Sequence, residues 1–155
     1  MLRTLFAGLA GGLAFNLAML LTFRLTGFGL DGQGFLLTDP TQSAKLIAVW
    51  TTLEPLPLVV TQPHLILGGQ MLFALGHAFI YRALSLHWPS GVWPRAWRFA
   101  GLSFFMTFLY WEFFTPFNQF GEPVPLILRE LGFWGVIALA EALAIAAVSE
   151  RGKQR

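Results

Sequence analysis

The chain has 155 residues, of which 55% are hydrophobic and 12% charged, with a formal net charge of +2. Soluble domains carry about 25% charged residues, so half that density leaves too little charge to coat a water-facing surface. No cysteine is present, which excludes thiol–disulfide chemistry, disulfide staples and thiolate metal sites.

Four apolar stretches, at about 5–23, 64–82, 98–115 and 125–148, approach or exceed bilayer length. A hydrocarbon core about 30 Å thick takes about 20 residues of helix. The expected fold is all-α: a single integral membrane domain over 1–155, built as an antiparallel bundle of four transmembrane helices, with a short interfacial amphipathic helix.

The first stretch follows Arg3. It is long for a signal peptide, contains Asn16 and has no small-x-small site before Arg24, so it reads as an uncleaved span. Gly8, Gly12 and Asn16 recur every fourth residue on one face. That pattern lets another helix approach closely beside a hydrogen-bonding amide. Packing within the chain is the preferred reading, and a homo-oligomer stays open.

The segment 24–63 is too long for a simple connector. Gly27, Gly29, Gly32 and Gly34 make its first part a loop. Asp39-Pro40 reads as an N-cap followed by proline at the first helical position. Leu46, Val49, Trp50 and Leu53 then recur at helical spacing, and Glu54-Pro55-Leu56-Pro57 stops the helix. The expected helix covers about 40–53. It lies either on the outer leaflet or as a lid on the bundle.

Each later stretch carries one polar stripe: Gln70, Ala74, His77 and Tyr81; Ser103, Thr107 and Tyr110; Glu130, Trp134, Ile137 and Glu141. Lipid offers no hydrogen-bond partners, so these stripes should face inward. His77 and Glu141 each lie about 20 Å from the outer boundary at 1.5 Å per residue, and Thr107 and Ser103 reach nearly the same level. A carboxylate there costs about 2.5–3.5 kcal/mol unless neutralised or paired. A His–Glu pair reduces that cost. It is either a satisfied interhelical hydrogen bond or an acid/base couple able to bind cations, move protons or isomerise a double bond. The ligand-binding candidates are therefore His77, Glu141, Thr107, Ser103, Gln70, Tyr81 and Asn16.

A second polar set marks the outer mouth: Glu54, Glu112, Asn118, Glu122, Arg129 and Glu130. Arg129 is the expected counter-ion of Glu112 or Glu122, with Arg24 and Glu54 approaching from the first half. The set reads as a salt-bridge clamp or as a mouth that receives a ligand. At the other edge Trp88, Trp93 and Trp97 crowd the connection between the second and third stretches, and Arg95 there is expected to be solvated.

Charge bias sets the orientation. Arg3, then Arg82, Arg95 and Arg98, then Arg151, Lys153 and Arg155 fall on one side if all four stretches cross. The positive-inside rule places that side, and both termini, in the cytoplasm of what reads as a bacterial cell with its inner membrane. Two fragments also recur in the same order. Phe6-Ala7-Gly8-Leu9 matches Phe99-Ala100-Gly101-Leu102, and Glu54-Pro55-Leu56-Pro57-Leu58 matches Glu122-Pro123-Val124-Pro125-Leu126. They fit a 2+2 internal repeat or a shared proline-broken helix entry.

The histidines at 64, 77 and 87 are too far apart for a metal triad, and no acidic pair stands at short helical spacing. No metal and no cofactor is expected. There is no phosphate-binding loop, no nucleophile elbow and no nucleic-acid module. The expected partners are membrane lipids and a small apolar ligand. The leading expectation is a non-enzymatic membrane protein that binds or passes a small apolar or weakly polar molecule. The alternatives are a membrane-embedded acid/base enzyme acting on a lipid, sterol or quinone, and an accessory subunit of a larger membrane complex.

Overall fold

Helix α1 (Leu2–Gly27) contains no proline, and several of its polar side chains donate to its own backbone. Asn16 Nδ2 donates to the Gly12 carbonyl at 2.8 Å, and the Thr22 hydroxyl to that of Ala18 at 2.8 Å. Such internal bonding lets an apolar helix carry polar residues without water. The computed structural model describes residues 1–151. Lys153 and Arg155, two of the basic residues used to orient the chain, lie outside them. Among the described residues the chain is all-helical, without strands.

After α1 come a one-turn helix α2 (Phe35–Thr38), helix α3 (Ala44–Thr51) and another single turn α4 (Leu58–Thr61). Helix α5 covers Pro63–His87. A continuous helical stretch α6 runs over 92–120, and α7 covers Val124–Glu150. Helices α1, α5 and α7 are long and apolar enough to cross a membrane. Stretch α6 is long enough too, but Tyr110, Trp111, Glu112, Thr115 and Pro116 dilute its second half.

The surface helix begins later than its sequence suggests. Asp39 does not cap it. Its Oδ1 accepts the Thr41 amide at 2.9 Å and the Thr41 hydroxyl at 2.6 Å, closing a tight turn over 39–41. Ser43 takes the cap instead, its Oγ accepting the Leu46 amide at 3.5 Å. The helix is therefore 44–51, not 40–53.

The third long stretch extends past Pro116 rather than ending before it. Residues 104–108 and 113–120 adopt the wider π geometry, which absorbs the backbone donor that proline lacks. Gly121, at φ 68°, ends the stretch in the left-handed region. The Glu122 amide then bonds back to the Pro116 carbonyl at 3.2 Å.

Packing brings α1 against both α5 and α7, and α6 against α7. Helix α5 meets α6 through rings, His77 and Tyr81 edge-on to Phe99 and Phe73 to Phe108. Glycines set the separations around α1. A Cβ at Gly8 would meet the Leu75 backbone, one at Gly12 would meet Met71, and one at Gly11 would meet Ile145. The α1 glycines thus serve packing within the chain.

Candidate functional site

A cavity of about 320 Å³ opens at the end where α1 finishes and α7 begins. Phe23, Phe28, Leu46, Trp50, Trp111 and Trp134 give it largely apolar walls. Its polar groups are Arg24, Gln70, Glu112 and Glu130. Two of the three π segments, 20–27 and 113–120, border it. The altered turn spacing there turns Phe23, Arg24, Thr115 and Pro116 toward one space. Helix α3 forms its lid: Leu46 is buried, and Trp50 stacks on Phe28 at 4.3 Å between centroids. The lid is stitched to the turn after α6, where the Ser43 hydroxyl donates to the Phe120 carbonyl and Lys45 Nζ donates to that of Gln119 at 2.6 Å. The lid arrangement is the one the structure adopts.

Glu112 and Glu130 line the cavity and Glu122 converges on them, with one carboxylate oxygen of each within 4.8 Å of the others. Glu112 and Glu122 are 0% and 1% exposed. Trp134 Nε1 donates to Glu112 Oε2 at 2.7 Å, and Gln42 Nε2 donates to Glu122 Oε1 at 2.7 Å. Burial pushes the Glu122 carboxyl above its ordinary range; the Gln42 bond opposes this and the Glu112 charge adds to it. Gln42 has no signal in the sequence, because a glutamine in a polar loop looks solvated until the fold carries it 80 residues along the chain to Glu122.

The expected counter-ion is corrected. Arg129 pairs with neither Glu112 nor Glu122; its side chain is 53% exposed and its NH1 lies 3.4 Å from Asp39 Oδ2. Residue 129 is one step from Glu130 on α7, so its side chain leaves on another face. Thr41 and then Arg129 hold the Asp39 carboxyl below its ordinary range. Glu54 is exposed and accepts the nearby Leu56 amide at 3.2 Å, and Asn118 is exposed. Neither joins the triad: α3 ends before Glu54, and Asn118 is turned to the surface.

Deeper in, His77 and Glu141 meet. His77 Nδ1 is 3.0 Å from both Glu141 oxygens, Glu141 is fully buried, and Phe73 covers the imidazole at 4.0 Å. The pair borders neither the outer cavity nor the smaller one at the opposite end. The Ser103 hydroxyl bonds the Phe99 and Ala100 carbonyls of its own helix, and Thr107 is half-buried. Asn16 bonds its own helix, Gln70 lines the outer cavity, and Tyr81 borders the smaller one. The seven ligand-binding candidates therefore divide among three places.

At the opposite end Arg95 is buried, not solvated. Its NH1 lies 2.5 Å from Glu150 Oε1 and its Nε donates to the Pro89 carbonyl at 2.9 Å. The turn over 88–91 folds back on α6 and supplies the Pro89 and Trp88 carbonyls, while α7 supplies Glu150. Arg3 donates to the Val148 carbonyl at 3.0 Å, which joins the start of α1 to the end of α7.

No family model, characterised protein or solved structure matches this chain. The site's own chemistry is the ground for a functional reading.

Proposed function

We propose that this is an integral membrane protein that binds a small, mostly apolar molecule in the outer cavity without transforming it. In this reading α1, α5, α6 and α7 all cross the bilayer as a four-helix bundle, with both termini cytoplasmic. The observation that carries it is the cavity of about 320 Å³, walled by aromatic and aliphatic side chains and carrying few polar groups. Ligand pockets have that composition: apolar walls for affinity and a few polar groups for orientation. The ligand's apolar body stacks among Phe28, Trp50 and Trp111, and a weakly polar end reaches Gln70 or Arg24. Entry requires α3 to lift, and α3 is short and anchored largely by the bonds of residues 42–45.

Support for crossing by α6 comes from its outer face. Phe105, Met106, Phe113, Phe114 and Phe117 are all exposed, a band too large for a water-facing surface. The cationic end of the chain, with Arg3, Arg82, Arg95 and Arg98, supports the cytoplasmic assignment.

The test is extraction of small molecules from protein purified in mild detergent, with Thr115→Phe as the comparison, since Thr115 lines the cavity. A compound recovered from the wild type and depleted at least tenfold from the variant supports the reading. Equal recovery from both, or no compound from the wild type, counts against it.

A further inference from the structure

The carboxylates of this cluster lack the positive charge that their number calls for. Among the described residues no lysine or arginine forms an ion pair with Glu112, Glu122 or Glu130. Arg129 is turned to Asp39 and Lys45 to the Gln119 carbonyl. Trp134 and Gln42 each satisfy one oxygen of Glu112 and Glu122. The remaining oxygens, Glu112 Oε1 and Glu122 Oε2, are buried, and neither Glu112 nor Glu122 has a further side-chain partner except the Glu130 carboxyl. A buried unpaired carboxylate is strongly unfavourable, and three that share one site repel one another as well.

We propose that Glu112, Glu122 and Glu130 together bind a divalent cation of the calcium kind. The donors are all carboxylate oxygens, the set preferred by hard cations over zinc or copper. Calcium takes oxygen ligands at about 2.3–2.6 Å, so two ligands of one ion stand at most about 5 Å apart. One oxygen from each of the three carboxylates lies within 4.8 Å of the others, inside that span. Magnesium dehydrates reluctantly and usually keeps several waters on one or two carboxylates, so three converging carboxylates favour calcium. Gln42 and Trp134 supply the outer contacts that orient metal-binding carboxylates. Water entering from the cavity completes the shell. Because Gln42 belongs to the lid segment and Glu122 to the turn between α6 and α7, a cation here fastens one to the other. This site stands independently of the small-molecule reading, since it needs only the triad and not the apolar walls.

The test uses terbium as a luminescent stand-in for calcium, with the full chain in a neutral maltoside detergent. Trp134 is bonded to Glu112, so its excitation should sensitise a bound terbium ion. Saturable emission is expected, displaced by calcium at least tenfold more effectively than by magnesium. Glu130→Gln and Glu122→Gln should each weaken terbium binding at least tenfold, while Asp31→Asn, an exposed site, should leave it unchanged. A second measurement is independent of the variants' folding. Calcium should raise the wild type's melting temperature relative to chelator, because a ligand of the native state stabilises by mass action. Absence of sensitised emission, equal affinity in Glu130→Gln, or a melting temperature indifferent to calcium would each overturn the proposal.

Discussion

His77 Nδ1 stands 3.0 Å from both oxygens of Glu141 and so ties α5 to α7, two helices that each pack against α1. One N–H is shared by two acceptors of a single carboxylate, under a cover of Phe73 and Phe99. The geometry is that of an interhelical tie. Glu141→Gln is expected to keep the fold, since an amide oxygen still accepts from His77, and to lower stability by about 1 kcal/mol or less. Glu141→Ala removes the acceptor and leaves a void, which should cost several kcal/mol. Unfolding of both variants in detergent checks the order. Glu141→Gln should also keep ligand recovery and terbium binding; loss of either with the fold intact would give the pair a functional role.

That tie was legible before any coordinates, for a geometric reason. Residue count fixes depth in a helix and periodicity fixes face, so His77 and Glu141 could be set at one level on inward stripes. Helix ends obey no such arithmetic. Asp39 and Ser43 are both good caps, and the choice turned on a local bond from Asp39 to Thr41. From sequence Arg129 reads as the counter-ion of the mouth carboxylates and Arg95 as solvated; the structure reverses the two. Their fates depended on where the loops at 88–91 and 39–41 placed carbonyl and carboxylate acceptors. The acidic cluster was half legible: the three glutamates were foreseen at one mouth, but the cavity beside them and the Gln42 and Trp134 contacts come from long-range packing.

Arg95 and Arg129 are expected to differ in the direction opposite to the sequence reading. Arg95 is 7% exposed, ion-paired with Glu150 and bonded to the Pro89 carbonyl. Arg95→Ala should therefore cost about 3–5 kcal/mol, the range for breaking a buried pair. Arg129 is largely exposed, and exposed pairs contribute about 0–1 kcal/mol, so Arg129→Ala should be nearly silent. Melting of the two variants side by side decides it. A larger loss for Arg129→Ala would contradict the packing at the Arg95 end.

Gly8 and Gly101 occupy the same place in the repeated Phe-Ala-Gly-Leu fragment but not in the fold. A Cβ at Gly8 would stand 2.8 Å from the Leu75 Cα, whereas one at Gly101 would meet nothing within 4 Å. Backbone cannot yield as a side chain can, so Gly8→Ala is expected to destabilise by about 1–3 kcal/mol. Gly101→Ala should be neutral, or stabilising by up to about 1 kcal/mol, because alanine loses less backbone entropy in a helix. Similar losses for both would mean that α1 does not approach α5 this closely. The environments of the other repeated fragment differ too, with Glu54 exposed and Glu122 buried. The repeat, whatever its origin, does not extend to the packing.

Crossing by α6 can be read from three positions. The chain lacks cysteine, so Leu2→Cys, Gln119→Cys and Arg151→Cys each report one exposed site without further engineering. If α1, α5, α6 and α7 all cross with cytoplasmic termini, a membrane-impermeant maleimide should label only position 119 in intact cells. Positions 2 and 151 should then label after permeabilisation. If α6 stays on one side, three crossings remain, and an odd number puts positions 2 and 151 on opposite faces. If all four cross in the reverse orientation, positions 2 and 151 label together from outside and 119 does not. The three outcomes share no pattern. The expected one follows from α6 itself, since a helix that lay in the interface would turn its aromatic residues to one side and charge to the other. Along 99–120 the only charged residue is Glu112, and it is buried against Trp134.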